Sequence, residues 1–86
     1  MADYTILFAR SSRRELERLA TPLARRIVAR IEALASNPRP SGCRKIEGSV
    51  DLWRIRVGDY RVIYAVDDSR RIVDVTAVRH RSDAYR

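Results

Sequence analysis

The stretch Leu52 to Val66, LWRIRVGDYRVIYAV, constrains the fold of this chain more than any other. Two alternating runs flank Gly58-Asp59, and glycine in the first position of a two-residue loop predicts a tight II′-type hairpin turn. That turn fixes register: Val57 faces Tyr60, Arg56 faces Arg61, Ile55 faces Val62, Arg54 faces Ile63 and Trp53 faces Tyr64. Period-2 geometry then collects Trp53, Ile55, Val57, Tyr60, Val62 and Tyr64 on one face, where they can cover a core. The other face carries Arg54, Arg56 and Arg61. Like charges placed opposite one another destabilise a sheet, and no Asp or Glu alternates with these arginines, so an anion is expected on that face.

The remaining elements follow from local signals. Tyr4 to Ala9 is rich in β-branched and aromatic residues and predicts a first strand; being apolar on both faces, it is expected inside the sheet or under helices. Ser12 followed by Glu15 is a capping-box pattern that predicts a short helix with Leu16 and Leu19 as its apolar pair. Thr21-Pro22 supplies an N-cap and a proline at the first position of a second helix. Its apolar stripe is Leu23, Ile27, Ile31 and Leu34, widened by Ala24 and Val28, and Ser36-Asn37-Pro38 ends it. Arg44 to Gly48 is a candidate short strand before the hairpin. Asp67 to Arg70 reads as a turn and Ile72 to Val78 as the last strand, with Val73, Val75 and Ala77 on its apolar face. Parity carries a warning there: a regular strand would aim Arg79 and Arg81 at the same apolar side, so either the strand stops near Val78 or a bulge re-aims it.

The whole is an α+β chain: an N-terminal strand, a two-helix hairpin, then an antiparallel sheet of three or four strands, with residues 1–86 as one domain. A net charge of +7 on 86 residues favours nucleic acid or an acidic protein as partner. No long apolar run, signal-peptide core or lipidation motif suggests a membrane role, and the lone Cys43 points to a reducing cytoplasm. No cluster of carboxylates, histidines or cysteines has metal-ligand spacing, so no metal or other cofactor is expected. Arg13, Arg14, Arg18, Arg25, Arg26 and Arg30 fall mostly on outer helix faces. There they can solvate the surface beside Glu15, Glu17 and Glu32, or follow the backbone of a large RNA.

The element order, the hairpin RIRVGDYRVIY and the ending VRHRSDAYR resemble the RelE/ParE superfamily of bacterial toxins, and more narrowly its RelE branch. The resemblance covers essentially the whole chain, with the GDYRVIY hairpin and the final HR-x-x-x-Y as its most specific parts. It implies the toxin of a type II toxin-antitoxin system, a ribosome-dependent endoribonuclease that cleaves mRNA in the A site by metal-free attack of the ribose 2′-oxygen. It also implies a cognate antitoxin, bound in a hetero-oligomer. The family pattern falls on Arg54 and Arg56 before the turn, Arg61 after it, Arg81 at the end of the last strand and Tyr85 beyond. Arg56, Arg61, Arg81 and Tyr85 are thereby the catalytic candidates; Arg54 and His80 are the substrate-binding candidates. Arg61 would stabilise charge on the phosphate, Arg54 would hold the backbone, Arg81 would donate a proton or act as a second clamp, and Tyr85 would stack on a base.

Arg56 stands where the family proposes a general base, in a position that carries lysine in the founding pattern. A guanidinium, with a pKa above about 12, is a poor proton acceptor. Imidazole is the side-chain type suited to proton transfer near neutrality, and His80 is the single histidine. Two other functions fit the same residues: a ParE-like inhibitor of DNA gyrase, and a catalytically silent basic module that only binds.

Overall fold

The structure, a computed structural model, describes residues 3–82. In chain order these form β1 (Thr5–Phe8), α1 (Arg10–Glu17), α2 (Thr21–Ala33), β2 (Arg44–Lys45), β3 (Leu52–Val57), β4 (Tyr60–Asp67) and β5 (Ile72–His80). The strands make one sheet in the order β1-β5-β4-β3-β2, with β1 parallel to β5 and every other pairing antiparallel. The hairpin has the expected register from Trp53↔Tyr64 to Val57↔Tyr60. Gly58 has φ +60° and Asp59 does not share a positive φ, which is the II′ arrangement that follows the twist of the two strands.

One face of the sheet packs on α2. Ile27, Ile31 and Leu34 meet Ile55, Val57, Val62, Tyr64, Val66, Val73, Val75 and Val78, all buried. Each such side chain contributes roughly 1.5–3 kcal/mol on leaving water. Tyr64 is fully buried and solves its polar-group problem by donating its hydroxyl to the Pro38 carbonyl at 2.7 Å; burial holds its phenol well above the usual range.

The first strand departs from expectation. β1 is an edge strand, with Leu7 45% exposed and only Ile6 and Phe8 packed toward the core. Interior places go to the longer β4 and β5, while four residues suffice only to flank β5. An ion-paired cluster fastens this edge: Tyr4 donates to Asp68 at 2.6 Å, Arg39 grips the same carboxylate at 2.8 and 3.2 Å, and Arg39 also lies over Trp53. The Arg39 and Tyr4 donors hold the Asp68 carboxyl below its ordinary range.

The capping-box reading of Ser12 and Glu15 is also corrected. α1 starts earlier, with Ala9 as N-cap and no side-chain cap, and Ser12 lies inside it, buried. The polar side chains of α1 serve β5 instead. Beyond Val75, β1 no longer covers the edge of β5, and α1 takes its place. Ser11 donates to the Thr76 carbonyl at 2.9 Å, the Ser12 hydroxyl lies 2.8 Å from the carbonyls of Ala9 and Val75, and Glu15 accepts the Val78 N–H at 2.8 Å. Side chains thus satisfy backbone groups that a bare edge would leave for an intruding strand. In α2 the N-cap is Ala20, so Thr21 is already helical and Pro22 sits one place further in than expected.

The parity warning resolves as a bulge. Tyr64 pairs with Val75 but Ile63 pairs with Ala77, which leaves Thr76 as the extra residue, its hydroxyl donating to the Ile63 carbonyl at 3.1 Å. The faces therefore exchange at Thr76. Val73 and Val75 are on the core side before it, Val78 and His80 after it; Ala77, expected beside Val75, lies on the opposite face with Arg79. β5 continues to His80 as a result.

Candidate active site

Cross-strand pairing turns the open face of the sheet into two basic rows. One runs Arg56↔Arg61↔Arg79 across β3, β4 and β5; the other begins Arg44↔Arg54 across β2 and β3 and ends in the apolar Ile63 and Ala77. Arg61 is the middle of its row and only 5% exposed, while Arg56 and Arg79 flank it in the open. A guanidinium at such a site interacts with an incoming anion more strongly than one in bulk water, because less solvent screens it.

Where this row meets the turn, Arg56, Gly58, Asp59, Tyr60, Arg61, Arg81 and Ser82 enclose a cleft of about 430 Å³. Arg81 reaches it because its backbone N–H donates to the Asp59 carbonyl at 2.7 Å, which latches the end of β5 onto the β3–β4 turn. The bulge matters here: it returns the odd-numbered residues Arg79 and Arg81 to the open side after the core has taken Val73 and Val75. Arg56, Arg61 and Arg81, all singled out from sequence, thus line one cavity.

Of the other candidates, Arg54 is half-buried one step down the face, opposite Arg44 and Ile63, and does not line the cleft. His80 pairs with Tyr60 on the helix-covered side, with the two rings edge to face at 5.3 Å. Its Nδ1 is 2.9 Å from the Ser82 hydroxyl and accepts the Ser82 N–H at 3.3 Å. Tyr85 lies outside the described residues.

Three residues were missed as site candidates. Arg79 stands directly opposite Arg61, and its Nε is 3.3 Å from Glu15, which brings a carboxylate of α1 to the edge of the basic row. The parity conflict at the end of β5 was the available signal. Arg44 carried none, since a two-residue strand has no pattern to read. Asp59, read as an ordinary turn residue, forms part of the cleft rim.

Chemically, the cleft offers forked donors that match phosphate oxygens, with little to take a proton in return. Among the described residues no three His, Cys, Asp or Glu side chains converge to hold a metal ion. Among them too, no helix is long and apolar enough to cross a membrane.

Comparison with known proteins agrees with this architecture. Residues 6–85 match the family described as ParE toxin of type II toxin-antitoxin system, parDE. The chain belongs to the RelE/ParE toxins. Toxin RelE of Mycobacterium tuberculosis is 32% identical over 84 residues, covering 96% of this chain and 87% of that protein. Toxin RelG of the same organism is 30% identical, covering 96% and 97%. Among solved structures, the archaeal RelE-RelB complex from Pyrococcus horikoshii superposes with a TM-score of 0.81 at 29% identity, over 94% of this chain and 97% of that one. The RelBE2 toxin-antitoxin complex of M. tuberculosis gives 0.80 at 25% identity, over 91% and 98%. Within the RelE/ParE fold, then, this chain carries Arg54, Arg56, Arg61 and Arg79 on the sheet face that the helices leave open.

Proposed function

We propose that this RelE/ParE toxin is a ribosome-dependent endoribonuclease that cuts mRNA in the A site without a metal ion. The observation that carries the reading is the convergence of Arg56, Arg61 and Arg81 on one cleft. In the reaction the ribose 2′-oxygen attacks the adjacent phosphorus as its proton passes to water, the bond to the 5′-oxygen breaks as that oxygen takes a proton from water, and the products are a 2′,3′-cyclic phosphate and a 5′-hydroxyl. Negative charge gathers on the non-bridging oxygens as the new bond forms. Arg61, buried and preorganised, stabilises that charge, and Arg81 clamps the phosphate from the β5 side. Arg56 stands on the attacking side as an electrostatic aid to losing the 2′ proton, since its guanidinium is a poor base. Arg54, with Arg44 opposite it, holds the neighbouring backbone, and Tyr85 stacks on a base.

With so few groups able to move a proton, most of the acceleration must come from positioning the substrate, which the ribosome would provide. Purified toxin alone is expected to degrade free RNA slowly; rapid cleavage of naked RNA would count against the reading. The partner is a cognate antitoxin, as in the RelE-RelB complexes to which this fold is similar, and the site of action is the translating cytoplasm. Arg61→Ala with Arg81→Ala tests the assignment. The double variant should lose A-site cuts in primer extension and lose growth arrest, and undiminished toxicity would refute it.

A second reading has its own support: the matching family description names ParE. Poisoning of DNA gyrase by the purified protein in a supercoiling assay, with no cuts on ribosomes, would decide for it.

A further inference from the structure

A second cleft, of about 410 Å³, opens on the other side of the sheet end, between the end of α1 and the last residues of β5. Tyr60 borders both clefts. His80, in the second, is hydrogen-bonded to Ser82, in the first. The two cavities are therefore joined around the sheet end by a shared ring and a hydrogen bond. The walls of the second differ from those of the first. Leu19 and Val78 are apolar, Tyr60 and His80 meet edge to face, and Arg18 and Arg79 supply positive charge. Its one carboxylate, Glu15, is occupied by the Val78 N–H and the Arg79 Nε, so its charge is compensated inside the wall.

Building on the nuclease reading, we propose that this cleft is a second nucleotide subsite, holding the base and phosphate that flank the scissile linkage. Arg18 takes the flanking phosphate and the Tyr60–His80 pair takes the base. The tautomer of His80 suits that role. Nδ1 accepts the Ser82 N–H, so the neutral ring carries its proton on Nε2, which makes no hydrogen bond among the described residues and can donate to a base or phosphate oxygen. A base against an aromatic pair with an arginine nearby is a sequence-tolerant grip, suited to a toxin that must take many messages.

The test uses 2′-O-methyl oligoribonucleotides, which cannot be cleaved, of two and three nucleotides. Because His80 is the single histidine, its imidazole resonances are an unambiguous NMR reporter. The trinucleotide should shift those resonances and bind about tenfold more tightly than the dinucleotide, a gain in the range expected of one added stack. His80→Ala and Arg18→Ala should each bring the trinucleotide toward dinucleotide affinity, and His80→Phe, which keeps a ring, should recover part of the gain. Equal affinities for the two lengths, an unmoved His80 signal, or no binding of either at millimolar concentration would overturn the subsite. Failure of the nuclease reading is seen elsewhere, as absence of ribosomal cuts by the unaltered toxin.

Discussion

The two neighbours of β4 are joined to it by different rules. β3 is set by a local device: Gly58 closes a two-residue turn, and each later pair follows from it without a break from Tyr60 to Ala65. β5 is set by a distant one. Its register slips by a residue at Thr76, and the slip is held by Thr76 bonding back to β4 and by Ser11, Ser12 and Glu15 of α1 taking the strand's outer groups. The first arrangement collects arginines by alternation alone. The second needs an insertion to present Arg79 and Arg81 on the same side. Locally determined register is robust, whereas register that depends on a bulge can be shifted by changing one residue.

Insertion of one alanine between Val78 and Arg79 is the strongest way to break this contrast. With the bulge in place it would set Arg79 opposite Tyr60 on the core side instead of opposite Arg61, and is expected to lower the melting temperature and abolish ribosomal cleavage. An insertion variant with normal stability and normal cleavage would refute register as the device that orients the end of β5. Next in size is the paired loss of Arg61 and Arg81. Removal of transition-state donors of this kind costs about 10²–10³ in rate each, so ribosomal cleavage should fall below detection while circular dichroism stays native. Arg81→Ala alone, at an exposed position, separates chemistry from folding; it should lose about 10²-fold in cleavage rate with an unchanged melting temperature.

On the β3 side, Gly58→Ala should be milder. An added Cβ would meet only the Arg26 guanidinium, at an ordinary 3.7 Å, so the cost is that of a positive φ, about 1 kcal/mol in denaturant unfolding. The smallest effect belongs to Asp68→Asn. Asp68 is held ionised by Arg39 and Tyr4, so its contribution to stability is fully present above the ordinary carboxyl range and disappears as pH falls through the lowered folded value. The variant should therefore melt slightly lower at neutrality and converge with the parent at low pH, which flattens the acid limb of melting temperature against pH.

The same contrast explains what could be read from the chain. The hairpin register, the apolar stripe of α2 and the cluster Arg54, Arg56 and Arg61 are local or periodic, and each is legible. Ser12 and Glu15 have the spacing of a capping box, yet their partners are on β5, some sixty residues away, and no local pattern encodes that. Arg79 was visible only as a parity conflict, because the residue that resolves it, Thr76, has nothing unusual about it in sequence. Leu7 misled for a related reason: an apolar residue on a short edge strand is indistinguishable from one on a buried strand until the order of the sheet is known.

β1 pairs in parallel with β5, Thr5 beside Ile72 and Phe8 beside Val75. Of the described elements of the fold, β1 is made first, and it finds its partner only once β5 has been translated. Its apolar side chains wait through synthesis, and completion of the sheet is among the last events of folding. A message cut short upstream of the Val75 codon yields a product without this closure, so the poison stays unfinished until β5 is made.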